Sequence, residues 1–141
     1  MTDTVNYEQA IPDILKSLAG IHQKMDGYGF DRKIQHLVLL RASQMNRCGY
    51  CVEMHTRDAR ADGETSDRLD RVIVWDQVGD FSDRERTALA WTEALTALDD
   101  RADRKALRKK LRAHFSDEEI GILTATIAMI NLWNRINISK H

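Results

Sequence analysis

The chain has 141 residues, 43% of them hydrophobic and 30% charged, with 7 glycines and 1 proline. That length suits a single domain spanning residues 1–141 with its own core, and the scarcity of helix breakers selects an all-α class. With 21 Lys and Arg against 22 Asp and Glu, the formal net charge is -1, which excludes a global field that would recruit nucleic acid or an anionic membrane.

The opening Met1-Thr2-Asp3-Thr4-Val5-Asn6 has no basic region followed by an apolar one, so it does not read as a signal peptide, and the expected location is cytoplasmic. Pro12 suits a first helical position; Ile14, Leu15, Leu18, Ile21 and Met25 then recur at helical spacing until Gly27 and Gly29. Asp31 caps a second helix through Ile34, Leu37, Val38 and Leu40 to about Ser43, and Gln44-Met45-Asn46 is the joint. Asn46 is expected to cap a third helix, which carries Cys48, Cys51 and His55 and ends near Gly63. Thr65 or Ser66 opens a fourth, with Leu69, Val72, Ile73 and Trp75 on its apolar side.

Ser82-Asp83-Arg84-Glu85 and Ser116-Asp117-Glu118-Glu119 both have the form of a capping box, a hydroxyl at the N-cap and a carboxylate three residues on. The first leads into Leu89, Thr92, Leu95 and Leu98, the second into Ile120, Leu123, Ile127 and Ile130 and on through Trp133. Between them, Ala102 to Ala113 is a short charged helix with only Ala106, Leu107 and Leu111 to bury, and the charge-rich stretch from Asp99 to Arg112, alternating in sign, reads as a solvated face. The apolar stretch from Ile120 to Trp133 is too short to span a bilayer. Period-two alternation is absent, and the expected architecture is about six to seven helices.

Cys48 and Cys51 are the only cysteines, and His55 lies one turn beyond Cys51. On a helix, residues three and four apart share a face, so the three form a line of neighbours. In a reducing compartment such a pair points to catalysis or metal binding rather than to a structural disulfide framework. A thiol reacts as thiolate, and two devices lower its pKa here: the helix N-terminus, acting most on Cys48, and the imidazole, acting most on Cys51. Cys51 is the expected nucleophile because His55 can take its proton, leaving Cys48 to resolve the resulting sulfenic acid as a disulfide. Zinc is the rival reading, with Cys48, Cys51 and His55 as three ligands and His36 or His114 as the fourth; a single CxxC is a weak zinc signal. A thioredoxin-like reading requires a βαβ context that the chain does not offer.

The run Leu39-Leu40-Arg41-Ala42-Ser43-Gln44-Met45-Asn46-Arg47-Cys48-Gly49-Tyr50-Cys51-Val52-Glu53-Met54-His55, with Asp58-Ala59-Arg60 after it, resembles the alkylhydroperoxidase D-like branch of the carboxymuconolactone decarboxylase superfamily. The likeness extends to Arg86–Thr96 and Asn131–Arg135. It implies an all-helical fold, homo-oligomers (trimers or hexamers) and antioxidant activity, with Cys51 attacking a hydroperoxide, Cys48 resolving and His55 in a proton relay. An external dithiol or disulfide-reducing protein is then the electron donor, and no cofactor or metal is expected. The family relay commonly has a glutamate twelve positions before the first cysteine; here that position is His36, which is expected to take its place and shift the pH optimum. The other readings are a cofactor-free lactone decarboxylase, against which the CxxC argues, and a non-catalytic helical oligomer.

Of the remaining candidates, His22, His114 and His141 read as surface residues and Glu53 as solvent-facing. Tyr50 reads as solvent-facing in the same way, with lining substrate access as its alternative role. Trp91, Trp133, Met129 and Ile130 read as core or subunit contacts, and Asn134 and Arg135 as capping or interface groups.

Overall fold

The computed structural model describes residues 3–140. These form eight α-helices and one 3₁₀ segment. Asn6 caps α1 (Tyr7–Ala10) by accepting from Gln9 N–H; four residues are too few to show a period, and this helix lies beyond the six to seven expected. Pro12 opens α2 (Pro12–Asp26) as its fixed φ allows. Asp31 caps α3 (Arg32–Met45), accepting from Lys33 and Ile34 N–H. Then come α4 (Gly49–Ala61) and α5 (Ser66–Arg71), the latter capped by Thr65. Ser82 and Glu85 close a reciprocal capping box at α6 (Asp83–Ala97), and Asp103 caps α7 (Arg104–Arg112). Ser116 accepts from Glu119 N–H and donates its own N–H to the Glu119 carboxylate, the second box, at the start of α8 (Asp117–Lys140).

The fourth expected helix is shorter than its pattern predicts. It stops at Arg71, and Val72–Gln77 tightens into a 3₁₀ segment with Val74 off helical geometry (φ -123°, ψ 30°). The β-branched run Val72-Ile73-Val74 disfavours the α form. With three residues per turn, Val72 and Trp75 fall on one side and are buried while Ile73 faces out.

α3 is the central element, buried on two sides. Ile34 and Val38 join Ala88 and Trp91 of α6, Leu111 of α7 and Leu123 and Ile127 of α8 in one cluster. Leu37 and Leu40 pack with Ala59 of α4, Leu69, Val72, Trp75, Phe81 and Leu89 in the other. Both clusters therefore fix α3, the helix from which the cysteine segment departs. No helix is long and apolar enough to cross a membrane among the described residues.

Candidate active site

The joint between α3 and α4 is a tight two-bond turn. Arg47 N–H bonds Gln44 C=O at 3.1 Å and Cys48 N–H bonds Ser43 C=O at 3.0 Å, closing α3 as a Schellman motif. Arg47 takes the left-handed position at φ 55°, where glycine is the usual occupant. Cys48 follows in extended conformation and is itself the N-cap of α4: its Sγ accepts Cys51 N–H at 3.3 Å. Asn46 is thus the C-cap of α3 rather than the N-cap that its sequence position predicts. Its side chain is engaged elsewhere, donating to Asn131 Oδ1 at 2.8 Å and Asn134 Oδ1 at 2.9 Å. Asn134, 0% exposed, donates in turn to Ser43 Oγ at 3.0 Å. This network ties the joint to α8 from inside, so Asn134 neither caps a helix end nor waits for an interface. The i, i+3 spacing of Asn131 and Asn134 next to the apolar run of α8 is the signal that marks it.

In the structure Cys48 and Cys51 are disulfide-bonded, with Cα atoms 5.2 Å apart and each residue 1% exposed. His55 lies one turn on, buried among apolar neighbours. Burial pushes its pKa down to about 4; the nearby Asp58 carboxylate opposes the shift and the His36 charge adds to it. The ring is therefore neutral near pH 7, with Nε2 buried and without a hydrogen-bond partner.

A cavity of about 510 Å³ reaches the pair from one side. Cys51, His55, Tyr50 and Met54 of α4 line it with Leu39 of α3, Leu15 and His22 of α2, and Ile130 and Trp133 of α8; Cys48 is not in its wall. Tyr50 is solvent-facing, at 51% exposed, and also borders this cavity. Ile130 is a core residue, as the pattern assigns it, and it and Trp133 also form part of the wall. His22 is also part of the wall and not a surface group: Trp133 Nε1–H donates to its Nε2 at 2.8 Å, the rings stacked with centroids 6.0 Å apart. Nothing near His22 in sequence marks this role, since its partner comes from the far end of the chain. At the rim, Lys140 pairs with Glu8.

His36 is buried on α3 but does not line that cavity. Its Nε2 lies 2.6 Å from Asp62 Oδ2, and it borders a second depression shared with Arg32, Asp62, Thr65 and Arg68. Its Nδ1 is buried and unpartnered. A carboxylate thus accompanies the imidazole although position 36 itself carries none. His114, the other candidate fourth ligand, borders a separate depression with Trp75 and Arg86, and His141 lies outside the described residues. Among the described residues no three His, Cys, Asp or Glu side chains are grouped to hold a metal ion.

Known proteins resemble this chain in sequence and fold. The model of the carboxymuconolactone decarboxylase family matches residues 12–94, from α2 through most of α6. The uncharacterized protein YdfG of Bacillus subtilis is 32% identical over 139 residues, covering 99% of this chain and 95% of its own. An Agrobacterium tumefaciens protein of unknown function, described as a candidate AhpD antioxidant defence protein, superposes with a TM-score of 0.92 at 34% identity over 99% of this chain and 95% of that one. The debrominase Bmp8 shares the fold alone, with a TM-score of 0.80 at 19% identity over 92% of this chain and 69% of its own. The chain belongs to the carboxymuconolactone decarboxylase family, in its alkylhydroperoxidase D-like branch.

Proposed function

We propose that the protein is a thiol peroxidase and disulfide reductase of the alkylhydroperoxidase D type, working through Cys51 and Cys48. The observation that carries this reading is that the 510 Å³ cavity reaches Cys51 and His55 but not Cys48. A substrate entering from that side meets one thiol first, with a neutral imidazole one turn away. In the reduced enzyme His55 takes the Cys51 proton, and the thiolate attacks the terminal oxygen of a hydroperoxide. An S–O bond forms, the O–O bond breaks, and the alkoxide leaves with a proton as the alcohol. Cys48 then attacks the sulfenic sulfur: the S–S bond forms, the S–O bond breaks and water leaves. The product of that sequence is the disulfide present in the structure, and an external dithiol or disulfide-reducing protein returns it to two thiols by exchange. Such a donor places the enzyme in a reducing compartment, the cytoplasm.

His36 belongs to the relay as the group behind His55. Exchanging it for the family's glutamate, His36→Glu, is expected to move the pH profile of peroxide consumption; superimposable profiles would remove His36 from the mechanism. We also carry over the homo-oligomer, trimer or hexamer. Ile11, Ile14, Ile21 and Ile138, all exposed, supply apolar surface for it, and light scattering of the purified chain tests it.

The function itself is tested by peroxide consumption with a dithiol reductant in excess. Turnover that Cys51→Ser abolishes supports the reading; no turnover with hydrogen peroxide or an organic hydroperoxide overturns it.

A further inference from the structure

Asp62 is a surface acid at the C-terminal end of α4, yet one of its oxygens carries three donors. Oδ2 accepts from Arg32 Nε at 3.1 Å, from Arg32 Nη2 at 2.6 Å and from His36 Nε2 at 2.6 Å. The His36 bond first, and the Arg32 bonds second, hold the carboxyl below its ordinary range. An ionised carboxylate only accepts, so the imidazole proton belongs on Nε2, and in the neutral ring Nδ1 keeps the lone pair. That Nδ1 is buried with no partner, and His55 Nε2, on the helix packed against α3, is buried with no partner as well. One such nitrogen is costly to leave unpaired. Two of them on helices packed against each other call for a role.

We propose that Asp62 is a positioning residue that fixes His36 in its Nε2-protonated tautomer, so that Nδ1 accepts the proton that Cys51 releases through His55. The inference rests on the peroxidase reading and adds its direction. His55 takes the thiol proton on one ring nitrogen and gives up a proton from the other, directly or over one water. His36 then holds two protons beside an ionised Asp62. The surplus proton leaves from the depression bordered by Arg32, Asp62 and Thr65, which shares no wall residue with the cavity that reaches Cys51. The same path returns one proton for the leaving alkoxide. Peroxide and proton thus use separate doors. Arg32, bonded to the same oxygen as His36, holds the carboxylate in place.

The test uses reduced parent, Asp62→Asn and Asp62→Glu, each mixed once with hydrogen peroxide and with tert-butyl hydroperoxide while thiol loss is followed. ¹⁵N spectra of the His36 ring are recorded in parallel, a readout independent of turnover. In the parent His36 is expected as the Nε2–H tautomer. Asp62→Asn should mix the tautomers and slow Cys51 oxidation by roughly 10- to 100-fold, part of the full contribution of a positioned proton-transfer group, while Asp62→Glu restores both readouts towards the parent. An active parent whose rate is unchanged in Asp62→Asn, or an Nδ1–H tautomer in the parent, overturns the relay and leaves the peroxidase reading standing. A parent inert to both peroxides overturns the two together.

Discussion

The cavity has two unlike walls. On one side the α3–α4 joint is held by a Schellman turn, a sulfur N-cap and the Ser43–Asn46–Asn131–Asn134 network, and α3 buries seven residues, Ile34, His36, Leu37, Val38, Leu40, Ala42 and Ser43. On the other side α1 buries none and α2 only Met25. This N-terminal arm rests on the last turns of α8 through Tyr7 with Ser139, Glu8 with Lys140 and His22 with Trp133. Cys51 lines the fixed wall, and Cys48 caps the same helix. The cover belongs to the part of the molecule with least to lose by opening, as local stability requires of elements that admit substrate.

Breaking the fixed wall has the largest expected effect. Asn134→Leu removes one of the two partners each of Asn46 and Ser43 inside the core, leaving Asn46 only Asn131 and Ser43 only the Leu39 carbonyl, at a cost of about 2–4 kcal/mol. For a domain of this size the reduced protein should melt about 6–12 °C lower, and calorimetry would show it. A change under about 1 kcal/mol would mean that the network is ornamental.

The buried His55 sharpens the same contrast through pH. The folded chain keeps the ring neutral down to about pH 4, whereas an unfolded imidazole takes a proton near pH 6.5, so between these values the unfolded state binds more protons. Stability is therefore whole above about pH 6.5 and is lost as pH falls towards 4, by about 2–3 kcal/mol from this group. Denaturant titrations across that window should show the slope in the parent and its loss in His55→Gln; equal slopes in both would contradict the neutral buried ring.

The cover should respond weakly. Removing residues 1–10 takes away α1 and its ties to Ser139 and Lys140, at an expected cost below about 1 kcal/mol because nothing on α1 is buried. A loss comparable to that of Asn134→Leu would abolish the distinction between the walls. Smallest of all is Arg47→Gly. Relief of the left-handed backbone outweighs the added freedom of the unfolded chain by about 0.5 kcal/mol, so a slight rise in melting temperature is expected. A fall would show that the Arg47 side chain holds the joint.

Much of the fold was legible in local chemistry: Pro12, Asp31, Gly63 and the two capping boxes mark helix ends because each acts on its own backbone within a few residues. The thiol pair with His55 was legible for the same reason, the spacing of one helix turn. What escaped depends on partners distant in sequence. Asn46 looked like a cap until Asn131 and Asn134 claimed its side chain, and His22 looked like surface until Trp133 stacked on it. Nothing in the local sequence marks Asp62, because its partners His36 and Arg32 converge on it from α3. The 3₁₀ segment was missed because Val72, Ile73 and Trp75 satisfy a helical count, while the backbone preference of the β-branched run is expressed only against Trp75 and Phe81 in the core.

The central claim is that the thiol facing the cavity attacks and the capping thiol resolves. Mass analysis of reduced Cys48→Ser and Cys51→Ser, each treated with one equivalent of hydroperoxide and a sulfenic-acid trap, tests it most directly. The expected result is a trapped sulfenic acid on Cys51 in the first variant and almost none in the second. Trapping on Cys48 in Cys51→Ser, with Cys51 inert in its partner variant, would contradict the account and exchange the roles of the two sulfurs.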